Sequence, residues 1–295
     1  AEEIKNIYVS QKQGQPFLNK LTDRSLETNL YSEGGVNMTG DTLLLHFNEA
    51  SWNGTSGEVK DTSGTENHGT GKDGVNTTNA GRFGRAGDFD GKDDSIDFQN
   101  SPTYGASIND FSFSAWINPT GSDMFRNYTI ASGGLADKVG GWSVNTYGGS
   151  NISKSSSPSV LRFGVNDLEG KAGADGGRLA QHIFIPKSGW HHIAGSYDVS
   201  ERKMFFYLDG VQKEGIPVSA FAFPKPTGNV FALGKSLVKP SFEYKGAIDE
   251  FATFNRVISQ EEVLNMYKRG AERVLYQIRS CDDRACQGEI FTGPD

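Results

Sequence analysis

Cysteine is almost missing from this sequence: 295 residues contain two, Cys281 and Cys286. Their C-x₄-C spacing does not fit a thioredoxin-like C-x-x-C, and no second pair or neighbouring histidine completes a zinc site. The five histidines include no metal-protease spacing. No run of 18 apolar residues occurs, so no helical membrane span is written into the chain. A cluster of basic charge is missing too. Lysines and arginines are scattered and the net charge is -7, which excludes a nucleic-acid partner. The chain opens on Ala1-Glu2-Glu3 without a basic-then-apolar leader, and the expectation is that any secretory signal has been removed.

What the sequence does have is glycine, 37 residues where average usage of about 7% would give roughly 20. The glycines follow no three-residue period, so the chain is not collagen-like. Glycine with 11% aromatics and only 10 prolines points to many short strands and tight turns, an all-β chain. Alternation is plainest at 111–117. There Phe111, Phe113, Ala115 and Ile117 interleave with Ser112, Ser114 and Trp116. Further strand runs lie at 42–47, 88–89, 95–98, 191–197, 203–208, 230–234 and 246–254, with turns at Asp90-Gly91 and Asp209-Gly210. A weaker strand is expected at Ile7-Tyr8-Val9. One helix stands out near the C-terminus. Ser259 and Glu262 form a capping box, Val263, Leu264 and Tyr267 a stripe, and Gly270 a stop.

These features predict an all-β, two-sheet antiparallel β-sandwich with one short C-terminal helix, over residues 38–270. Residues 1–37 read as a linker or the tail of a preceding module. Residues 271–295 read either as the start of a following module or as a C-terminal tail.

Between 41 and 268 the ordered motifs are Leu44–Glu49 (LLHFNE), Asp61–Gly69 (DTSGTENHG), Gly84–Gly91 (GRAGDFDG) and Phe111–Pro119 (FSFSAWINP). Then come Gly189–Ala194 (GWHHIA), Phe206–Gly210 (FYLDG), Gly246–Phe251 (GAIDEF) and the Ser259–Tyr267 helix. Taken together they resemble the LamG-like jelly-roll domains of the concanavalin A-like lectin/glucanase superfamily. That resemblance supports the sandwich and implies its jelly-roll topology. It leaves lectin, enzyme and spacer open, because fold does not fix function.

A glycosidase on such a sandwich needs two carboxylates flanking the scissile bond. No Glu-x-Asp-x-Glu run occurs. Asp93-Asp94 reads as a solvated hairpin, and Asp249-Glu250 are adjacent residues expected to point to opposite faces. The chain is therefore read as non-catalytic. The resemblance also implies a structural calcium ion. Asp61 and Asp249 would supply carboxylates, with Asn67 and Glu49 adding oxygens, although Asn48 stands where the family often has Asp. The alternative is that Asp61 makes an Asx-turn and Asp249 caps backbone amides.

Sugars lie on aromatic rings while amides and charged groups take their hydroxyls. Trp52, Trp142 and Tyr147 are the candidate platforms, with Asn145 and Arg162 as hydroxyl partners. For Trp142 a packing role is the competing reading. Cys281 and Cys286 are expected to form a local disulfide, which would indicate an oxidising compartment. Five N-x-[ST] sequons, at Asn37, Asn53, Asn76, Asn127 and Asn151, are compatible with a secreted surface. The expectation is a binding or adhesion module of a larger extracellular or cell-surface protein. It would recognise a glycan or a matrix or surface protein, beside neighbouring domains of its own chain, without membrane insertion.

Overall fold

The structure is a computed structural model. It describes residues 7–10, 16–19, 37–99, 110–120, 128–134, 141–147, 159–166, 178–185, 189–198, 200–201, 203–213, 216–217, 230–237 and 243–269. Cys281, Cys286 and the run at 274–278 lie outside the described residues. The chain divides into two compact units, Met38–Tyr267 and one drawn from Ala1–Asn37 and Lys268–Asp295. Within the second, β1 (Ile7–Ser10) and β2 (Pro16–Asn19) pair antiparallel, Ile7 opposite Asn19.

The larger unit holds β3 (Asp41–Leu45), β4 (Gly69–Lys72), β5 (Asn76–Thr78), β6 (Ala86–Asp90), β7 (Ser95–Phe98) and β8 (Phe111–Pro119). After these come β9 (Thr129–Gly134), β10 (Gly141–Tyr147), β11 (Ser159–Asn166), β12 (Arg178–Ile185), β13 (His191–Asp198) and β14 (Lys203–Leu208). The last are β15 (Val211–Gln212), β16 (Ile216–Pro217), β17 (Phe231–Leu233), β18 (Lys245–Phe254) and the helix α1 (Gln260–Arg269). One sheet runs β12-β11-β10-β9-β17-β7-β4. The other runs β15-β14-β13-β8-β18-β6-β5, with β16 added on β14 and β3 on β18. Every strand pair is antiparallel, and the fold is the expected all-β jelly-roll sandwich with a short helix.

Period-2 alternation sends one face of each strand into the space between the sheets. Phe113 of β8 stacks on Trp142 of β10 at 5.5 Å, and Phe231 of β17 meets Phe251 of β18 at 5.7 Å, so aromatic pairs tie the two sheets together. Glycines make room for them. A Cβ on Gly133 would lie 2.7 Å from Trp142 Nε1, and one on Gly195 2.4 Å from Phe113 Cε1.

On β8 the polar alternates Ser112 and Ser114 are as buried as the apolar set, because this sheet is covered on its outward side as well. The cover is α1. Tyr267 stacks on Trp116 at 5.7 Å, and Val263 is fully buried. The capping box forms as the sequence predicts. Glu262 N donates to Ser259 Oγ (3.2 Å) and Ser259 N to Glu262 Oε2 (2.7 Å), while Arg256 adds an ion pair to Glu262.

Gly246 opens the strand run expected at 246–254. It stands inside β18 at φ 137°, where a Cβ would come within 2.4 Å of Asn118 O. Glycine is there for a close approach of two strands in a backbone conformation side chains avoid.

Candidate binding site

The outward face of the seven-stranded sheet is polar, and the alternation that builds the core also builds it. Trp142, Val144 and Thr146 of β10 point inward and are buried, which turns Ser143 and Asn145 outward. On β11, Leu161 and Phe163 fill the core, so Arg162 and Gly164 lie on the opposite face, where both are nonetheless buried, Arg162 at 9% exposed. Register then sets Asn145 directly opposite Arg162 and Ser143 opposite Gly164. A bulge between Val144 and Asn145 breaks the pairing to β9 at this point and re-aims the strand.

Across the sheet the same face continues through Ser132 (opposite Ser143), Ala232, Asp97 and Thr70. Lys235-Ser236-Leu237 crosses it as a wall: Ser132 Oγ donates to Lys235 O (2.9 Å) and accepts from Leu237 N (3.2 Å). Lys235 Nζ reaches Asp97 at 2.6 Å. Asn145 and Arg162, named from the sequence as hydroxyl partners, are thus brought together on one face.

Two of the three expected aromatic platforms, Trp142 and Trp52, are not there, which corrects the expectation for them. Trp142 is 1% exposed, with one ring face on Phe113 and another on Phe231 (5.9 Å). Trp52 is 4% exposed and meets Phe47 edge-on at 5.7 Å. Both are core residues, Trp142 through the alternation of β10 and the space left by Gly133, Trp52 in the space left by Gly87, and a sugar ring reaches neither. Tyr147 closes β10, and its side chain lies outside the described residues.

The expected calcium ligands separate into two places. Asp61 is buried, and four donors use its carboxylate. Oδ1 accepts from Leu44 N (3.0 Å) and Ser63 N (2.9 Å); Oδ2 accepts from Thr65 Oγ1 (2.8 Å) and Asn67 N (2.9 Å). Burial works to raise its pKa, but the hydrogen bonds from Ser63, Leu44 and Thr65 outweigh that and hold it below the ordinary carboxylate range. Glu49 Oε1 accepts from Lys60 N (2.8 Å), and its Oε2 is buried without a hydrogen-bond partner among the described residues. Asp249 lies elsewhere, on β18. It accepts from Phe83 N (2.8 Å) and Glu250 N (2.8 Å), so it ties down the 81–84 loop.

Calcium takes six to eight oxygens. Asp61 has no lone pair left, Asp249 binds amides, and one orphan oxygen on Glu49 makes no cage. The four residues do not fit that ion in this arrangement. Among the described residues, the carboxylates that gather in a trio within 4.8 Å are Asp90, Asp93 and Asp94. There Asp94 accepts from Asp90 N (2.8 Å) and Asp90 from Lys92 N (2.8 Å), an ordinary hairpin network.

Burial pushes Asp249 up to about 7, and the Glu250 charge adds to this against the hydrogen bonds from Phe83, Glu250 and Arg82. The pair does not split to opposite faces as simple alternation predicts. Glu250 sits at φ 48° in a break of the β18–β8 register, and its Oε1 reaches His46 Nδ1 at 2.8 Å. One pair mimics a nucleophile and base, Ser114 Oγ and His192 Nε2 at 2.9 Å. Both are buried, and Asp209 binds the His192 backbone N and the His191 ring rather than His192 Nδ1. A triad needs that third contact.

The family described as the concanavalin A-like lectin/glucanases superfamily matches residues 90–264, more than half of the chain. The chain belongs to that superfamily. A search of curated protein sequences found no match. Among solved structures, this superfamily member is similar to the botulinum neurotoxin serotype D ligand binding domain in complex with N-acetylneuraminic acid (TM-score 0.58, 15% identity, 81% of this chain and 52% of that one). It is also similar to the binding domain of Paraclostridial Mosquitocidal Protein 1 (TM-score 0.58, 15% identity, 78% and 52%). Domain 4 of AbnA, a GH43 extracellular arabinanase from Geobacillus stearothermophilus, in complex with arabinotriose, is a third (TM-score 0.52, 17% identity, 77% and 98%). The chain spans about half the length of the toxin domains it matches. At these identities the likeness is one of fold.

Proposed function

We propose that this chain is a non-catalytic carbohydrate-binding module of an extracellular or cell-surface protein. The ligand lies on the outward face of the seven-stranded sheet, over β10 and β11. The observation that carries this reading is the cross-strand pair Asn145–Arg162, with Ser143 one position along: an amide, a guanidinium and a hydroxyl set side by side on a rigid face. Such groups bind sugar hydroxyls bidentately. Membership in a superfamily that includes lectins as well as glucanases fits the reading. So do the solved complexes of similar domains with N-acetylneuraminic acid and arabinotriose. The reading assigns no calcium to the Asp61 loop, which is closed by its own hydrogen bonds.

A glycan array with the wild-type chain tests the function, and Asn145→Ala with Arg162→Ala tests the face. Loss of tenfold or more in affinity, with unchanged melting of Asn145→Ala, is expected. Full binding by the double variant moves the site elsewhere. No glycan retained by the wild type leaves a spacer domain.

A further inference from the structure

His192 lies on β13 in the layer between the nine-stranded sheet and α1, and it is 1% exposed. Its ring contacts Trp116 at 5.3 Å and Tyr267 of α1 at 6.3 Å. Nε2 bonds Ser114 Oγ, while Nδ1 is buried with no hydrogen-bond partner among the described residues. A bare lone pair is the cheaper way to leave that atom unbonded. The neutral ring therefore carries its proton on Nε2 and donates to Ser114.

A proton added at Nδ1 would create a cation whose new N–H points at nothing. No surrounding element answers it. From β8 come Ser114 and Trp116, and from β14 Tyr207. The turn after β14 brings Asp209, whose oxygens already hold the His191 ring (3.0 Å) and His192 N (2.9 Å). Across Trp116 stand Asp249, occupied by Phe83 N and Glu250 N, and Arg82, a like charge 4.4 Å from the Trp116 ring. α1 supplies Tyr267. Its carboxylates, Glu261 and Glu262, lie a turn away, with Glu262 paired to Arg256, and Lys268 follows Tyr267.

We infer that His192 is an acid-operated latch: protonation at Nδ1 releases α1 from the sheet while the sandwich beneath stays folded. The separation is physical. The main core lies between the two sheets, on the opposite side of β8 and β13 from His192, so opening the helix layer leaves it intact. Burial agrees, holding His192 down at about 4 against an opposing effect of Asp209. With the helix lifted the ring regains its ordinary value near 6.5. Linkage then fixes the size of the effect. Between those limits the open fraction of α1 rises roughly tenfold for each pH unit of acidification.

Hydrogen exchange of the whole chain, corrected for the intrinsic rate at each pH, reads this directly. From pH 6.5 to 4.5 the amides of residues 263–267 should lose about 40-fold of protection, while those of β8 and β13 keep theirs. His192→Phe keeps a flat ring without a titrating atom, and its α1 protection should not change with pH. The inference is overturned by unchanged protection in the wild type. Equal loss in His192→Phe, or helix and sheet losing protection together, also overturns it. If His192→Phe does not fold, the ring's own titration by NMR decides. A midpoint near 4 to 5 supports the latch, and one at 6.5 or above rejects it.

Discussion

Asp61 is a single residue doing what a bound ion does in many loops. Its carboxylate gathers Leu44, Ser63, Thr65 and Asn67 around one buried point. Truncation leaves those donors unpaired, so Asp61→Ala is expected to cost about 2–4 kcal/mol in urea unfolding. A chelator should leave the melting temperature of the wild type unchanged. The sign of the acid dependence follows from its depressed pKa. Asp61 contributes its full share of stability above about 3.9, and that share is lost as pH falls through its lower folded value. Residue chemistry of this kind is half legible in a sequence. Asp61, Asp249, Asn145 and Arg162 are all visible as polar groups with work to do. Whether a carboxylate binds a cation or an amide depends on which N–H groups converge on it, and those come from residues as far apart as Leu44 and Asn67. The platform reading of Trp142 fails and its packing reading holds for a similar reason. Its neighbours in the chain are polar and glycine-rich, while its neighbours in space are Phe113 and Phe231.

Elements are legible where alternation survives, as in β8, or where a cap is written out, as at Ser259. The capping box should be worth about 1 kcal/mol, so Ser259→Ala is expected to lower stability by that amount and to fray α1 first. β4 and β9 are harder to see. Gly69-Thr70-Gly71-Lys72 and Thr129–Gly134 show no apolar period, because inward positions include the glycines Gly69, Gly71 and Gly133, whose space Ile96, Phe98, Val75 and Trp142 occupy. The hydrophobic signal for those strands is carried by other strands. Gly246 within β18 makes the sharpest test of this packing. Gly246→Ala meets Asn118 O at a forbidden distance as well as an unfavourable φ, and should cost more than about 2 kcal/mol where an ordinary strand Gly→Ala change stabilises.

For the whole molecule, two buried groups pull the pH profile of stability in opposite directions. Between about 4 and 6.5, His192 takes up a proton on unfolding, so its contribution rises with pH. Asp249, held up at about 7, releases a proton on unfolding over the same range, so its contribution falls. Each slope is about 1.4 kcal/mol per pH unit, and they nearly cancel. The wild type should therefore show a nearly flat contribution from the pair. In His192→Phe only the Asp249 slope remains, and denaturant midpoints should fall as pH rises from 4 to 6.5.

The position of β18 also sets the order in which this protein can be made. The strand completed last in the sandwich lies at the middle of its sheet. β8 flanks it on one side, β6 and then β3 on the other. Until residue 254 leaves the ribosome, the β13–β8 ribbon and the β5–β6 hairpin have no seam to join them. Until then β8, β6 and β3 keep open the edges that β18 will pair. The rate at which the chain closes is governed by contacts between its two ends.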